Sequence, residues 1–114
     1  MDPRALDGRS FSITGIVDNG ERVPLVEGSV PTITLSNHGL RVETGCNQLN
    51  GPYEINSRGQ LVTSPLKTLR GCGKALTRQE KLIAQVFCSD PVVELTGETL
   101  TLRCDQIVIE AAKA

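Results

Sequence analysis

The sequence predicts a mainly β fold with one α-helix, built as a small antiparallel β-barrel or strongly curled sheet. Three observations lead there. Short segments of alternating apolar and polar residues recur along the chain, each closed by Gly, Asn, Asp or Ser. Only one segment carries apolar residues at helical spacing, and Pro91 closes it off. Parallel α/β folds need helices alternating with strands, and a single helix cannot supply them. An antiparallel barrel with the helix packed on it or closing one end is the architecture left.

The elements follow in order. Phe11-Ser12-Ile13-Thr14 alternates and continues through Gly15 into Ile16-Val17, a strand in which the glycine marks a bulge. Asp18-Asn19-Gly20-Glu21 is a turn, because Asn-Gly accepts the positive φ of a tight hairpin. Thr32–Leu35 and Leu40–Glu43 form a hairpin around Ser36-Asn37-His38-Gly39. The segment Thr44–Tyr53, rich in Gly and Asn, reads as a tight corner between strands. Strands at 53–56 and 60–63 flank the turn Ser57-Arg58-Gly59. Thr77-Arg78-Gln79-Glu80 matches a capping box, in which the Thr hydroxyl and the Glu side chain satisfy each other's backbone amides. Leu82, Ile83, Val86 and Phe87 then form one apolar stripe, so a helix of about three turns is expected over roughly 77–88, with its stripe in the core. Val92–Leu95 and Thr99–Leu102 flank Thr96-Gly97-Glu98 as a hairpin, and Gln106–Glu110 is the last strand.

Composition narrows the function classes. The 114 residues fit one domain spanning 1–114, without repeats or a Ser/Gly linker. Twelve Lys and Arg against 13 Asp and Glu give a net charge of −1, which lacks the basic footprint of a nucleic-acid module. No apolar run approaches the roughly 18–20 residues of a membrane-spanning helix. Met1-Asp2-Pro3-Arg4 is not followed by the apolar stretch of a secretory signal. A cytosolic chain and a mature chain whose signal or lipid anchor has been removed share that feature.

Cys46, Cys72, Cys88 and Cys104 are an even set, which suits disulfides in an oxidising compartment and allows three connectivities. Buried reduced thiols are the alternative for a cytosolic protein. Structural zinc sites place paired ligands two to four residues apart, but no CxxC is present and His38 is the only histidine. No metal or cofactor is expected. Gly71-Cys72-Gly73-Lys74 lacks the spacing of a phosphate loop and has no Ser or Thr after the lysine. A thiol enzyme would need Cys46 or Cys72 beside His38 and Asn47 or Asn50, but His38 falls in a turn where solvation is the default. No catalytic residues are assigned. Lys67, Arg70 and Lys74 cluster around Cys72 and are candidate contacts for an anionic partner.

Gly45-Cys46-Asn47 followed by Asn50-Gly51-Pro52-Tyr53 resembles the GCN-x-x-x-G-x-Y signature of the META domain, the family of HslJ-like bacterial heat-shock proteins. Leu6–Phe11 is similar to the family's opening L-x-G-x-x-W, with Phe11 where Trp is usual. Pro31–Leu35, Leu66–Cys72 and Val93–Leu102 resemble later family segments, so the likeness runs over about 5–109. It implies a small β-barrel-like domain of secreted or lipid-anchored envelope proteins, linked to stress tolerance and virulence, with no defined reaction. It also implies a Cys46–Cys72 disulfide, which leaves Cys88–Cys104 as a second pair flanking the 92–102 hairpin. A bridge closing 46–72 stabilises by roughly 3–4 kcal/mol on the chain-entropy account. The expected function is therefore a non-enzymatic, monomeric envelope module, stress-related or interacting with an unknown protein or small ligand. A periplasmic inhibitor of a hydrolase and a small-ligand-binding barrel are the alternatives.

Overall fold

The computed structural model describes residues 5–114, so the reading of Met1–Arg4 lies outside the described residues. Ten strands and one helix follow the expected order of many strands, one helix, then three strands. The strands are β1 (Arg9–Asp18), β2 (Glu21–Val23), β3 (Thr32–Ser36), β4 (Gly39–Glu43), β5 (Gln48–Ile55), β6 (Leu61–Thr63) and β7 (Leu66–Lys67). Helix α1 (Lys74–Phe87) comes next, then β8 (Val92–Thr96), β9 (Thr99–Cys104) and β10 (Ile107–Lys113). Along the sheet the order is β6-β5-β4-β3-β1-β10-β9-β8, with β2 paired to β1 and β7 to β5.

The two ends of this sheet nearly meet. Gln60 bridges Val92. The amide of Leu61 donates to Pro91 (2.8 Å) and that of Val93 to Gly59 (2.9 Å). The sheet is thus a nearly closed antiparallel barrel, which leaves little exposed edge. Asn19 (φ 54°) and Gly20 (φ 82°) take the positive angles expected of their hairpin. The β1–β10 register shifts between Ile13 and Gly15, the bulge that Gly15 signalled.

The helix closes the barrel with the expected stripe. Ile83, Val86 and Phe87 are fully buried, and Leu82 packs against the same core at partial burial. Phe11, Ile33, Leu35, Leu61, Leu100, Leu102 and Ile109 meet them from the strands. Aliphatic side chains thus fill the interior despite the low aromatic content.

Three local expectations are corrected. The helix starts at Lys74, a turn earlier than expected, and Gly73 is its N-cap with no side-chain cap. Thr77 is inside the helix, where its amide donates to Gly73 (3.1 Å). Glu80 is therefore free to point away from the helix end, and no capping box forms. The corner expected over 44–53 is only 44–47, because Gln48–Ile55 is one strand. Gly51 and Pro52 act as the point where β5 changes partner, from β7 at Leu49–Asn50 to β6 at Tyr53–Ile55. A Cβ on Gly51 would come within 2.9 Å of Pro65 Cα and 3.0 Å of the Ser64 carbonyl, so glycine lets the β6–β7 connection cross over β5. Finally, Cys88 and Cys104 are free thiols rather than a second bridge. Cys88 is exposed at the helix C-cap, whereas the Cys104 Sγ faces the Ser89 carbonyl (3.7 Å) and Asp105 Oδ2 (3.8 Å).

Phe87 spans the contact between helix and barrel. Phe87→Ala is expected to lower unfolding free energy by about 3–5 kcal/mol in chemical denaturation, whereas exposed Leu69→Ala should change it by less than about 0.5 kcal/mol.

Candidate functional site

The site grows from the turn that joins β4 to β5. Thr44 and Asn47 are buried there, and so are Gln79 and Glu80 on the facing side of α1. Removing a carboxylate from water costs several kcal/mol unless donors surround it. Here they do. Glu80 Oε1 accepts from the Thr44 hydroxyl and the Asn47 amide, each at 2.9 Å. Glu80 Oε2 accepts from Asn47 Nδ2 at 3.2 Å and lies 3.5 Å from Lys67 Nζ. Burial is the largest single influence on this carboxyl and raises its pKa. The Asn47 side chain, the Thr44 hydroxyl, the Asn47 amide and the Lys67 charge together outweigh it, and the net direction is down from 4.5.

Gln79 makes the adjacent tie. Its Nε2 donates to the Thr44 carbonyl (2.8 Å) and to Ser29 Oγ (3.2 Å), and its Oε1 accepts from the Val26 amide (2.8 Å). Gly45 lies between these anchors at φ 99°, with Gln79 Nε2, Leu76 Cδ2 and Ser29 Cβ all 3.1–3.2 Å from where a Cβ would stand. Glycine is required both for the angle and for the space.

On the outer side the turn grips the segment before the helix. Cys46 and Cys72 are joined by a disulfide across 26 residues, with Cα atoms 5.8 Å apart. Asn47 Nδ2 donates to the Arg70 carbonyl (3.1 Å), Thr68 Oγ1 to Asn47 Oδ1 (3.0 Å), and Arg70 Nη2 to the Cys46 carbonyl (3.4 Å). The signature's Tyr53 is buried in β5 and hydrogen-bonds Asp7. Burial, followed by the charge and hydrogen bond of Asp7, raises the phenol above 10.0. The signature strand is thereby tied to the opening Leu6-Asp7-Gly8 segment.

The sequence-derived residues therefore separate into two groups. Gly45, Cys46, Asn47, Gly51 and Tyr53 hold the frame, and Asn50 lies in β5, where its Oδ1 accepts from Arg41 Nε (3.3 Å). Of the proposed contact residues, Lys67 is drawn to Glu80. Arg70 lines an open concavity of about 600 Å³ with Cys46, Asn47 and Leu69. Lys74 lines a neighbouring one of about 500 Å³ with Cys72, Arg78 and Lys81. Sequence reasoning missed Thr44, Gln79 and Glu80. The helical phase carried the signal, since Gln79 and Glu80 lie four and three residues before Ile83 on the buried stripe, but the capping-box reading had already assigned Glu80.

Chemically the arrangement is saturated. Both oxygens of Glu80 are occupied by internal donors, and Cys46 has no thiolate because it is bridged. His38 is exposed in the β3–β4 turn. Among the described residues no group of three or more His, Cys, Asp or Glu side chains gathers as a metal site.

These features define a helix-capped antiparallel barrel whose signature turn is fastened to the helix by a buried carboxylate and to the following loop by a disulfide. The chain belongs to the META domain family, whose model matches residues 4–114. It is similar in fold to the NMR structure of a protein from Burkholderia xenovorans, with TM-score 0.81, 17% identity, and coverage of 97% of this chain and 85% of that one. A second NMR structure matches with TM-score 0.78 at 20% identity, covering 98% and 94%. The crystal structure of a DUF4847 family protein from Bacteroides vulgatus matches with TM-score 0.71 at 10% identity, covering 96% and 94%. No curated protein matches the chain.

Two predictions follow from this geometry. Glu80→Gln puts an amide NH2 against donors and should cost about 2–4 kcal/mol. Because the folded carboxyl titrates below 4.5, its stabilisation is complete above that pH and is lost as the pH falls through the lower folded value. Thermal midpoints measured from neutral pH down to acid should drop less steeply in the Glu80→Gln variant than in the parent. Separately, reducing the bridge, or replacing Cys46 and Cys72 together by Ser, should lower unfolding free energy by roughly 3–4 kcal/mol in urea titrations.

Proposed function

We infer that this META domain is a non-catalytic binding module of the bacterial cell envelope with a stress-related role. It would work by presenting the segment between β6 and the middle of α1 to a partner. The Cys46–Cys72 bridge carries this reading. A disulfide persists in an oxidising compartment, and this one holds a loop whose outward side chains make few contacts with the rest of the protein. Arg70 and Lys74 are exposed on that loop and at the helix start. Rigidity of this kind favours association, because a preorganised loop loses less conformational freedom on binding. The saturated hydrogen bonding of Glu80 and the bridged state of Cys46 support a binding role over a catalytic one. The filled core gives no support to a ligand carried inside the barrel.

Thiol trapping in intact cells, read by mass spectrometry, tests the compartment. Cys46 and Cys72 should resist alkylation until a reductant is added, and finding both labelled in the native protein would refute an oxidising location. Heat-recovery assays in cells lacking the protein test the role. The parent chain should restore growth, and a chain carrying Arg70→Glu with Lys74→Glu should not; equal rescue by both would remove this face from the function.

A further inference from the structure

The net charge of −1 conceals a segregation. Five of the chain's 12 Lys and Arg residues lie between positions 66 and 81: Lys67, Arg70, Lys74, Arg78 and Lys81. The one acid in that span is Glu80, which is buried and internally bonded. The rest of the chain carries 12 acids against seven cations. Lys74, Arg78 and Lys81 line a single concavity with Cys72, and no acidic residue lines it. Among the described residues, Arg70, Lys74, Arg78 and Lys81 form no ion pair with an acidic side chain.

Beside these cations the same segment exposes two large aliphatic side chains. Leu66 is 80% exposed and Leu69 is 90% exposed. Leu69 is three residues from Cys72, so it lies within about 10 Å of the cationic concavity. The disulfide and the bonds joining Arg70 and Thr68 to Asn47 hold the backbone around Leu69, and Leu66 is held in β7 by its pairing with Asn50. The rim toward β4 carries Glu43, whose carboxylate accepts from Gln48 Nε2 at 3.1 Å.

We propose that Leu66, Leu69 and the surrounding Arg70, Lys74, Arg78 and Lys81 form a docking surface for an anionic lipid bilayer. This rests on the binding-module reading above and names its partner. Aliphatic side chains enter the acyl boundary while flanking cations stay at the level of the headgroups, and the two contributions add. An acidic protein would meet the same charges. Protein interfaces, however, are enriched in aromatic residues and depleted in Lys, and this segment has three lysines and no aromatic residue between 66 and 81. The chemistry therefore favours lipid.

Sedimentation of the oxidised chain with vesicles tests the proposal. It should bind equimolar phosphatidylcholine–phosphatidylglycerol vesicles at low salt and not phosphatidylcholine vesicles, and binding should weaken as salt rises above the physiological range. Arg78→Glu with Lys81→Glu should weaken it more than about 20-fold, since removing one cation alone costs about fivefold. Leu66→Asn with Leu69→Asn should weaken it at low salt without altering charge. All four positions are exposed, and unchanged thermal midpoints would confirm intact folding. Absence of binding, binding unaffected by either pair, or full competition by soluble glycerol phosphate would overturn lipid docking. Retention of an acidic protein through these residues, without vesicle binding, would assign the surface to a protein partner instead. Those outcomes leave the binding-module reading standing if heat-recovery still depends on Arg70 and Lys74, whereas loss of that dependence would remove the reading itself.

Discussion

The Glu80 carboxylate is the constraint around which the helix-facing end of the barrel is arranged. A buried charge without donors would cost more than the helix could recover by packing. The helix can therefore dock only when the 44–47 turn delivers the Thr44 hydroxyl and both Asn47 nitrogens together. That requirement fixes Gly45 in a left-handed conformation and sets how β5 leaves the turn. It also explains why the turn needs short polar side chains: both reach the carboxylate, while the Thr44 hydroxyl also accepts from the Cys46 amide and the Asn47 side chain also bonds the Arg70 carbonyl and the Thr68 hydroxyl. Gln79 repeats the device toward residues 26–29. The buried face of the helix is thus tied by a saturated polar cluster at Gln79 and Glu80 and by apolar packing further along at Ile83, Val86 and Phe87.

The family signature reads differently once this cluster is seen. Asn47 serves the carboxylate, Gly51 makes room for a crossing chain, Tyr53 binds the N-terminal segment through Asp7, and Cys46 clasps the loop ahead of the helix. Each acts as a structural joint. Structures only 10–20% identical share the fold across nearly this whole chain, which is what a framework set by a few joints and a filled core permits. What this framework holds outward is less constrained, and the stretch from β7 to the middle of the helix is where charge and exposed aliphatic surface coincide.

The strands were legible because each obeyed one local rule. Alternation marked β3, β4, β8 and β9, Asn19-Gly20 set its hairpin, and Gly15 announced the bulge. The helix core was legible for the same reason: one stripe, one face. What failed were residues with two local meanings. Thr77 and Glu80 satisfy a capping box in sequence, yet the helix begins earlier, at a glycine cap, and Glu80 pairs with a turn 33 residues away. Gly51-Pro52 looks like a break, but the sheet uses it to change partners within one strand. Cys88 and Cys104 flank a hairpin as a bridge would, but the Cys104 thiol faces the Ser89 carbonyl. In each case a long-range contact, invisible to local pattern, decided between two locally acceptable outcomes.

The same limit applies to charge. A sum of −1 excludes a uniformly basic protein but says little about any one face. The molecule is 38 Å along its longest axis, several Debye lengths at physiological salt, where screening acts over about 8 Å. A partner approaching residues 66–81 therefore senses the local cations and not the acids across the barrel. Burial strengthens the asymmetry, because the only acid in that stretch is Glu80, which faces inward and spends its charge on Thr44, Asn47 and Lys67. The interaction that fastens the helix thus also commits the one negative charge of this stretch inward, to Lys67, and leaves Arg78 and Lys81 without an acidic partner among the described residues. Fold stability and surface electrostatics are set at this point by one side chain.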